Sequence, residues 1–483
     1  MRQRTVTELI DLMEPEPAEL FGHDAEGIVV GPDVVIDNRA ATPGAVFVAI
    51  PGERVDGHRF AAAAAEAGAC AVLGTYVTDA DVPHVLCADT VRGLSALARG
   101  LVREQRARGM LSLGVTGSSG KTSTKDLLAQ VLESAGPTVA PVGSQNNEIG
   151  VPLTACRIDD DTRFLVSEMG ARGAGHLSWL TSLVPLDVAV VLNVGHAHIG
   201  EFGGIEQVAA AKSELVADLA EDGWAVLNAD DPLVRAMAAP TRGRIAWVGE
   251  GELPAGELTV TAQDVVLDAL SRASFRLVVT RDAGTERART ETAPVTLQVI
   301  GRHSVGNALS AAGAAVAAGL GVAQVADALS GAVARSAWRM ALAERTDGAL
   351  VLNDSYNANP DSMAAALRTV AELLGARRAQ HPEAKAVAVL GDMLELGDES
   401  PELHRQVGRL AAELGIQEIH AIGDFAGQIV EGTAGFDVVA AVTTRERAAG
   451  LVDLGPHDVL LVKGSRGVGL ETVADELMGK VTR

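Results

Sequence analysis

Cysteine is scarce. Cys70, Cys87 and Cys156 are odd in number, scattered, and outside any Cys-x-x-Cys pair. This excludes a disulfide frame and a thiolate zinc site, and it fits a reducing compartment. Positive charge is scarce as well: 40 Lys and Arg against 63 Asp and Glu leave a formal net charge of -23. A general binder of nucleic acid or anionic membrane needs clustered Lys and Arg, so that class is excluded. A nucleotide ligand would have to be held by a local site and a metal, not by the overall field. Long apolar runs are missing too. None approaches the roughly 20 residues of a membrane span, and the opening "MRQRTVTELIDLMEPEP" has no apolar signal core. The expectation is a cytoplasmic protein with no membrane insertion and no nucleic-acid partner.

What is present is an α/β composition. Hydrophobic residues make up 47% and charged residues 21%, with Ala, Gly and Val abundant. At 483 residues the chain exceeds one ordinary core, and roughly three domains are expected. Residues 1–107 alternate short apolar runs with turns ("GIVVGPDVVIDNRAATPGAVFVAIPG"), the pattern of a small α/β unit. Residues 108–333 repeat strand, loop and helix: "LSLGVTG", "FLVSEMG", "DVAVVLNVG", "WAVLNADD" and "RIAWVG" read as buried parallel strands. Between about 254 and 300 the pattern turns to alternating polar and β-branched residues, read as an antiparallel insertion packed beside the parallel sheet. Residues 334–483 return to the parallel pattern with "ALVLND", "AVAVLGD", "EIHAIGD" and "DVLLVKGS". The fold class is therefore α/β in three domains, with a parallel-sheet ATPase-like unit in the centre. Ligands of such sheets bind at the carboxyl ends of the strands, which here carry the most unusual polar clusters.

One cluster is a phosphate loop. Gly117-Ser118-Ser119-Gly120-Lys121-Thr122-Ser123 follows a strand ending at Thr116 and precedes an apolar-periodic helix. The usual pattern has one more glycine, five positions before Gly120, where this chain has Val115. Successive N–H groups and a helix N-terminus favour phosphate oxygens. Lys121 is placed to meet the β- and γ-phosphates and the Thr122 hydroxyl to meet Mg²⁺. No base-reading motif of a GTPase follows, and three sheet-bearing units exceed the plan of a small-molecule kinase. An amide-forming ligase must gather ATP, an acid and an amine, which separate closing domains would suit. Glu168 ends a strand and offers a carboxylate to a second metal contact. Taken alone, His198 reads as a solvated loop residue and Lys212 as a helix-surface lysine.

At these residues the sequence resembles the Mur ligases of peptidoglycan synthesis. "GVTGSSGKTST", "NNEIGVPLT", "SEMGA", "LNVGHAHIGEFGG", "AAKSELV" and "LNADDP" follow the order of that family's ATP-binding domain. "NDSYNANPDSM", "GDMLELGD" and "VKGSRGVGLE" resemble the type that adds D-alanyl-D-alanine, and "IDNRAATPGAVFVAIPGERVDGH" resembles its uridine-nucleotide-binding domain. The resemblance implies that ATP activates the terminal carboxylate of UDP-N-acetylmuramoyl-tripeptide as an acyl phosphate. The D-alanyl-D-alanine amine then attacks it. It implies Mg²⁺ at two sites, with Thr122 and Glu168 at the first and His198 at the second. Lys212 falls where the family carries a carbamylated lysine facing the second metal, so the bland readings of His198 and Lys212 give way; His196 keeps its own.

The same resemblance implies that Asn307 contacts adenine, that Arg339 reaches the γ-phosphate from the third domain, and that Asp354 lies beside the ribose with Tyr356 nearby. Asn357, Asn359, Ser465 and Arg466 fall in motifs for the amine substrate, although Asn359 also reads as an Asx-turn before Pro360. Asn38, Arg39, Asn146 and Asn147 fall in motifs for the nucleotide substrate. There the family's Asp-Ser/Thr-Arg becomes Asp37-Asn38-Arg39, its Asn-rich loop becomes "GSQNNEIG", and its His-Asn becomes His303-Ser304. A monomer is expected. Two alternatives stay open: a related ligase with another amine, and a nucleotide-binding relative without ligation. The presence of Lys121, Glu168, His198 and Lys212 weighs against the second.

Overall fold

The short Val- and Leu-rich runs of the central unit are buried on both faces: every residue of Phe164–Glu168 and of Val188–Val191 is buried. Strands of that kind need helices above and below them. The computed structural model describes residues 1–22, 27–52, 54–195 and 199–479. In the centre, nine strands form one sheet. Its order runs Thr138–Val139, Phe164–Glu168, Leu111–Thr116, Val188–Val191, Trp224–Asn228, Arg244–Val248, Gly256–Leu267, Arg272–Ala283, Arg289–Ile300. Pairing is parallel from the first strand through Gly256–Leu267, and the last two strands are antiparallel. The antiparallel segment anticipated beside the parallel sheet is thus its continuation. Gly256–Leu267 pairs parallel with Arg244–Val248 on one side and antiparallel with Arg272–Ala283 on the other, so a single strand joins the two patterns.

Helices Lys121–Glu133 and Ser304–Ala317 cover one face of this sheet. The Ala-rich composition of the second has a packing reason. Ala308, Ala311, Ala312, Ala314 and Ala315 are fully buried, and a Cβ added at Gly313 would lie 2.7 Å from Val248 Cγ1. Small residues let this helix lie directly on the strands. The other face shares an apolar core with the N-terminal unit through helix Thr90–Arg106, which packs on Val6–Met13 and Gly150–Ala155. The N-terminal unit has its own five-stranded sheet, in the order Ala18–Phe21, His84–Cys87, Ala71–Gly74, Val46–Val48, Val34–Val35.

The C-terminal sheet has six strands, in the order Ala341–Glu344, Leu350–Asn353, Val459–Lys463, Ala386–Gly391, Glu418–Ile422, Val439–Thr443. Only the first pairs antiparallel. Among the described residues, no helix is long and apolar enough to cross a membrane.

In the C-terminal unit, helices Ser400–Glu413 and Ala426–Gly432 touch at Gly408 and Gly432. A Cβ at Gly408 would lie 1.9 Å from the Ile429 carbonyl oxygen, whereas Gly427 has open space around it. Gly408→Ala should therefore destabilise this unit by about 2 kcal/mol through overpacking against backbone. Gly427→Ala should stabilise it by about 0.5 kcal/mol through helix propensity. Opposite shifts of the thermal unfolding midpoint are the expected result.

Candidate active site

The carboxyl ends of the central and C-terminal sheets face one another across a cavity of about 1000 Å³. On the central side, strand Leu111–Thr116 runs into the turn 117–120 and then into helix Lys121–Glu133. Val115 pairs in register with Glu168 and Val190, so the position of the outer glycine in the longer motif is here part of the sheet. Gly120 is left-handed at φ 78°, and a Cβ there would come within 2.5 Å of Asn307 Oδ1. Only glycine fits both conditions. Asn193 fixes the turn, accepting the Ser118 N–H on its carbonyl at 3.1 Å and the Ser119 N–H on its side chain at 2.9 Å. The first N–H groups of the helix have no partner within it, which makes its start a site for anionic oxygen.

Lys121 folds back to donate to the Gly117 carbonyl at 2.7 Å. Burial pushes its ammonium pKa down; Glu168 opposes that shift and Arg339 adds to it. The Thr122 hydroxyl lies 2.8 Å from Ser144 Oγ, which also accepts Arg339 Nη2 at 2.7 Å.

Glu168 ends its strand 1% exposed, with Oε1 accepting from Asn146 Nδ2 at 2.8 Å and Oε2 without a partner. A buried carboxylate oxygen left open toward a cavity suits a hard cation, and Thr122 and Lys212 line the same space. The residues therefore fit a divalent metal. Lys212 belongs to helix Ile205–Ala217 and is 4% exposed, not a surface lysine. Burial and the charge of Lys121 bring its pKa down to about 7. His198 and His196 lie outside the described residues.

Asn307 is the fourth residue of helix Ser304–Ala317, and its Oδ1 accepts from Thr124 Oγ1 at 3.3 Å. From the C-terminal side, the Arg339 guanidinium lies over the Tyr356 ring at 4.2 Å and that of Arg466 over Trp338 at 4.4 Å. Trp338 and Met340, on either side of Arg339, both have left-handed backbones at φ 58° and 47°. Each costs about 1 kcal/mol for a residue with a Cβ, a strain that functional loops concentrate. Asp354 accepts the Met340 N–H at 2.9 Å and pairs with Lys463 at 2.5 Å. Lys463, itself 1% exposed, also donates to the Asn357 carbonyl at 2.9 Å, so it holds the turn between them.

Asn359 does two things at once. Its Oδ1 caps helix Pro360–Arg378 in a capping box with Ser362, and its Nδ2 donates to the Ser118 carbonyl across the cavity at 3.4 Å. The Asx-turn expected at Asn359 is instead a helix N-cap, with its bond three residues on at Ser362 and Pro360 opening the helix, and the cross-cavity contact is additional. Ser465 is buried, accepting from the Leu394 N–H at 3.0 Å and donating to the Ala358 carbonyl at 3.4 Å.

The structure thus brings Ser118 to Ser123, Asn146, Glu168, Lys212, Asn307, Arg339, Asp354, Tyr356, Asn357, Asn359, Ser465 and Arg466 to one cavity. Thr116 and Gly117 lie beneath it as strand end and turn. Asn147 turns away, accepting the Gly150 N–H at 2.8 Å to start helix Gly150–Ala155. Asn38 and Arg39 are on the N-terminal unit, where Arg39 pairs with Asp37 at 2.6 Å and its side chain is 84% exposed. Sequence reasoning missed Ser144 and Lys463 as site residues. Both lay in quoted motifs, but neither serine nor lysine announces which neighbour it will bridge.

Three family models match in chain order: Mur ligase family, catalytic domain (33–99), Mur ligase middle domain (115–315), and Mur ligase, glutamate ligase domain (338–466). The UDP-N-acetylmuramoyl-tripeptide–D-alanyl-D-alanine ligase of Mycobacterium tuberculosis is 39% identical over 522 residues, covering 100% of this chain and 99% of its own. The Escherichia coli protein of the same name is 34% identical, covering 98% of each. The crystal structure of MurF from Acinetobacter baumannii superposes with a TM-score of 0.83 at 28% identity, over 99% of this chain and 100% of that one. MurF ligase from Thermotoga maritima in complex with ADP gives 0.73 at 26% identity, over 93% and 97%. Matched along its length in sequence, family models and fold, this chain belongs to the Mur ligase family.

Proposed function

We infer that this chain is an ATP-dependent ligase of peptidoglycan precursor synthesis that joins D-alanyl-D-alanine to UDP-N-acetylmuramoyl-tripeptide through an acyl phosphate. The observation that carries this reading is a single cavity shared by a phosphate loop with its half-buried Lys121, an open carboxylate and the buried Lys212 on one side, with Arg339 and the Asp354–Asn359 turn on the other. Such a reaction needs positioning and charge neutralisation more than covalent chemistry from the protein. In this reading the uridine nucleotide is assigned to residues 1–107 with Asn38 and Arg39, ATP to 108–333, and the dipeptide to 334–483. The setting is cytoplasmic and the enzyme a monomer.

The helix start at Gly120 and Lys121 receives the β- and γ-phosphates. Thr122 and Glu168 hold a first Mg²⁺, and His198 with Lys212 serves a second. Mg²⁺ bound there supplies charge neutralisation for the phosphoryl group. Burial of Lys212, with no acidic group among the described residues raising its pKa, favours the neutral amine, the form that combines with CO₂. Carbamylation would turn this cation into an anion suited to face a metal. Asn307 faces adenine and Asp354 the ribose. Arg339 meets the γ-phosphate, a role supported by its approach to Ser144 and Thr122. Asn146 and Asn147 belong to the loop beside the acceptor peptide. Asn357, Asn359, Ser465 and Arg466 form the wall assigned to the dipeptide, with Tyr356 behind Arg339.

ADP release measured with the tripeptide nucleotide and a panel of amines should show at least a hundredfold preference for D-alanyl-D-alanine. Preference for diaminopimelate or glutamate would refute the substrate assignment. Lys212→Ala should lower kcat by about 10²–10³, the scale of a lost charge-stabilising group. Short carboxylic acids should restore part of it, and wild-type turnover without them would exclude the carbamate. Arg339→Ala should lower kcat by about 10² with ATP affinity of the full chain within about threefold, a transition-state effect. An equal loss of ATP binding would count against that role.

A further inference from the structure

Three segments that meet at the cavity wall meet a second time behind it. In front, Thr122, Ser144 and Arg339 share the Ser144 hydroxyl at 2.8 and 2.7 Å. Behind, Lys125 and Asp126 form an ion pair at 2.5 Å in which the two residues are 1% and 7% exposed. Lys125 Nζ donates to the Pro141 carbonyl at 2.9 Å, and Asp126 Oδ2 accepts the Ser336 N–H at 3.0 Å. The spacings match: Asp126 lies one helical turn after Thr122, Pro141 three residues before Ser144, and Ser336 three residues before Arg339. Each rung ties the phosphate-loop helix, the loop through 141–144 and the connection into the C-terminal unit.

The same face of the helix extends this hold. Gln130 exchanges two hydrogen bonds with the Val333 backbone at 2.9 and 3.0 Å, and Glu133 takes Arg335 through two more at 2.5 and 2.6 Å. Asp126, Gln130 and Glu133 follow the i, i+4, i+7 spacing of one helical stripe, so the connecting segment runs along the helix. It then enters the left-handed residues around Arg339. Strain of that kind persists only where the surroundings over-determine it. Of the three attachments, the buried charge pair is nearest to Arg339 in sequence and the one shielded from solvent, where salt and water weaken it least.

We propose that the Lys125–Asp126 pair is a positioning element for ligation: it sets Arg339 and Ser144 against the phosphate loop without touching substrate. This rests on the reading of Arg339 as the group that meets the γ-phosphate. ATP contacts the loop ahead of the pair, so loss of the pair misplaces Arg339 and leaves the phosphate cradle standing. Misplacement by about 1 Å is enough for a rate loss of about 10²-fold.

The test is a double-mutant cycle on the full-length chain, with kcat, KM for ATP and thermal unfolding measured for each protein. Asp126→Ala should lower kcat at least tenfold with KM for ATP within threefold of wild type. The Asp126→Ala, Arg339→Ala double variant should be no slower than Arg339→Ala alone, because the pair acts through that arginine. Multiplicative losses in the double variant, or wild-type kcat in Asp126→Ala, would overturn the proposal. Should Asp126→Ala not fold, Asp126→Asn, which keeps an acceptor for the Ser336 N–H, is expected to retain more activity and to show the same non-additivity; additive losses there overturn it equally. Wild-type turnover in Arg339→Ala by itself would instead remove the assignment of Arg339 on which the proposal stands.

Discussion

One hydroxyl joins the two halves of the site. Ser144 Oγ lies 2.8 Å from the Thr122 hydroxyl and 2.7 Å from Arg339 Nη2, so the loop at the carboxyl end of one sheet is tied to the connection into the next. Much of the site depends on that junction. Thr122 opens the phosphate-loop helix, and Arg339 brings the Tyr356 ring against its guanidinium. Asn359 adds a second crossing to the Ser118 carbonyl. Two parallel sheets whose ligand-binding ends face each other need such ties, because each end alone is half a site.

The charge arrangement explains how so acidic a chain can receive nucleotides. Net charge is -23, yet among the described residues the cavity is lined by six cationic side chains (Lys121, Arg172, Lys212, Arg339, Lys463, Arg466) against six acidic ones (Glu168, Asp230, Glu250, Asp354, Asp361, Glu395). The described lining is therefore far less acidic than the chain as a whole, and phosphate meets local donors at short range. Burial sharpens the effect. Lys212 is held away from water and Lys121 half so, and the loss of hydration lowers both ammonium pKa values. Lys463 is spent differently, since its partner Asp354 is already beside it. Similar side chains in one cavity thus take structural or ligand-facing parts according to whether a counter-charge is built in.

Several features were open to sequence reading because they rest on local rules. Glycine at 120 is dictated by a left-handed turn, the apolar periodicity after it by a helix on a sheet, and the Val-rich runs by burial on both faces. Other features depended on partners distant in sequence. Nothing near Lys212 distinguishes it from an exposed helical lysine; its burial comes from how its helix is covered. Asn146 and Asn147 are neighbours, yet one donates to Glu168 and the other accepts the Gly150 N–H in the turn before a helix. The alternating run 254–300 signalled antiparallel strands, but only strand order made them an extension of the nine-stranded sheet.

The sequence by itself determined the α/β class, the shortened phosphate loop with Val115 left in the strand, and an ordered series of motifs pointing to one ligase family. These are properties of spacing and residue type, which survive without coordinates. Only the tertiary structure decided that Glu168 keeps one oxygen open, that Ser144 is the meeting point, that Lys463 holds the Asp354–Asn357 turn, and that a buried Lys125–Asp126 pair stands behind Arg339. The physical reason is separation along the chain. Ser144 and Arg339 are 195 residues apart, and Asp126 and Ser336 are 210 apart. Such pairs exist only once the sheets have closed on each other.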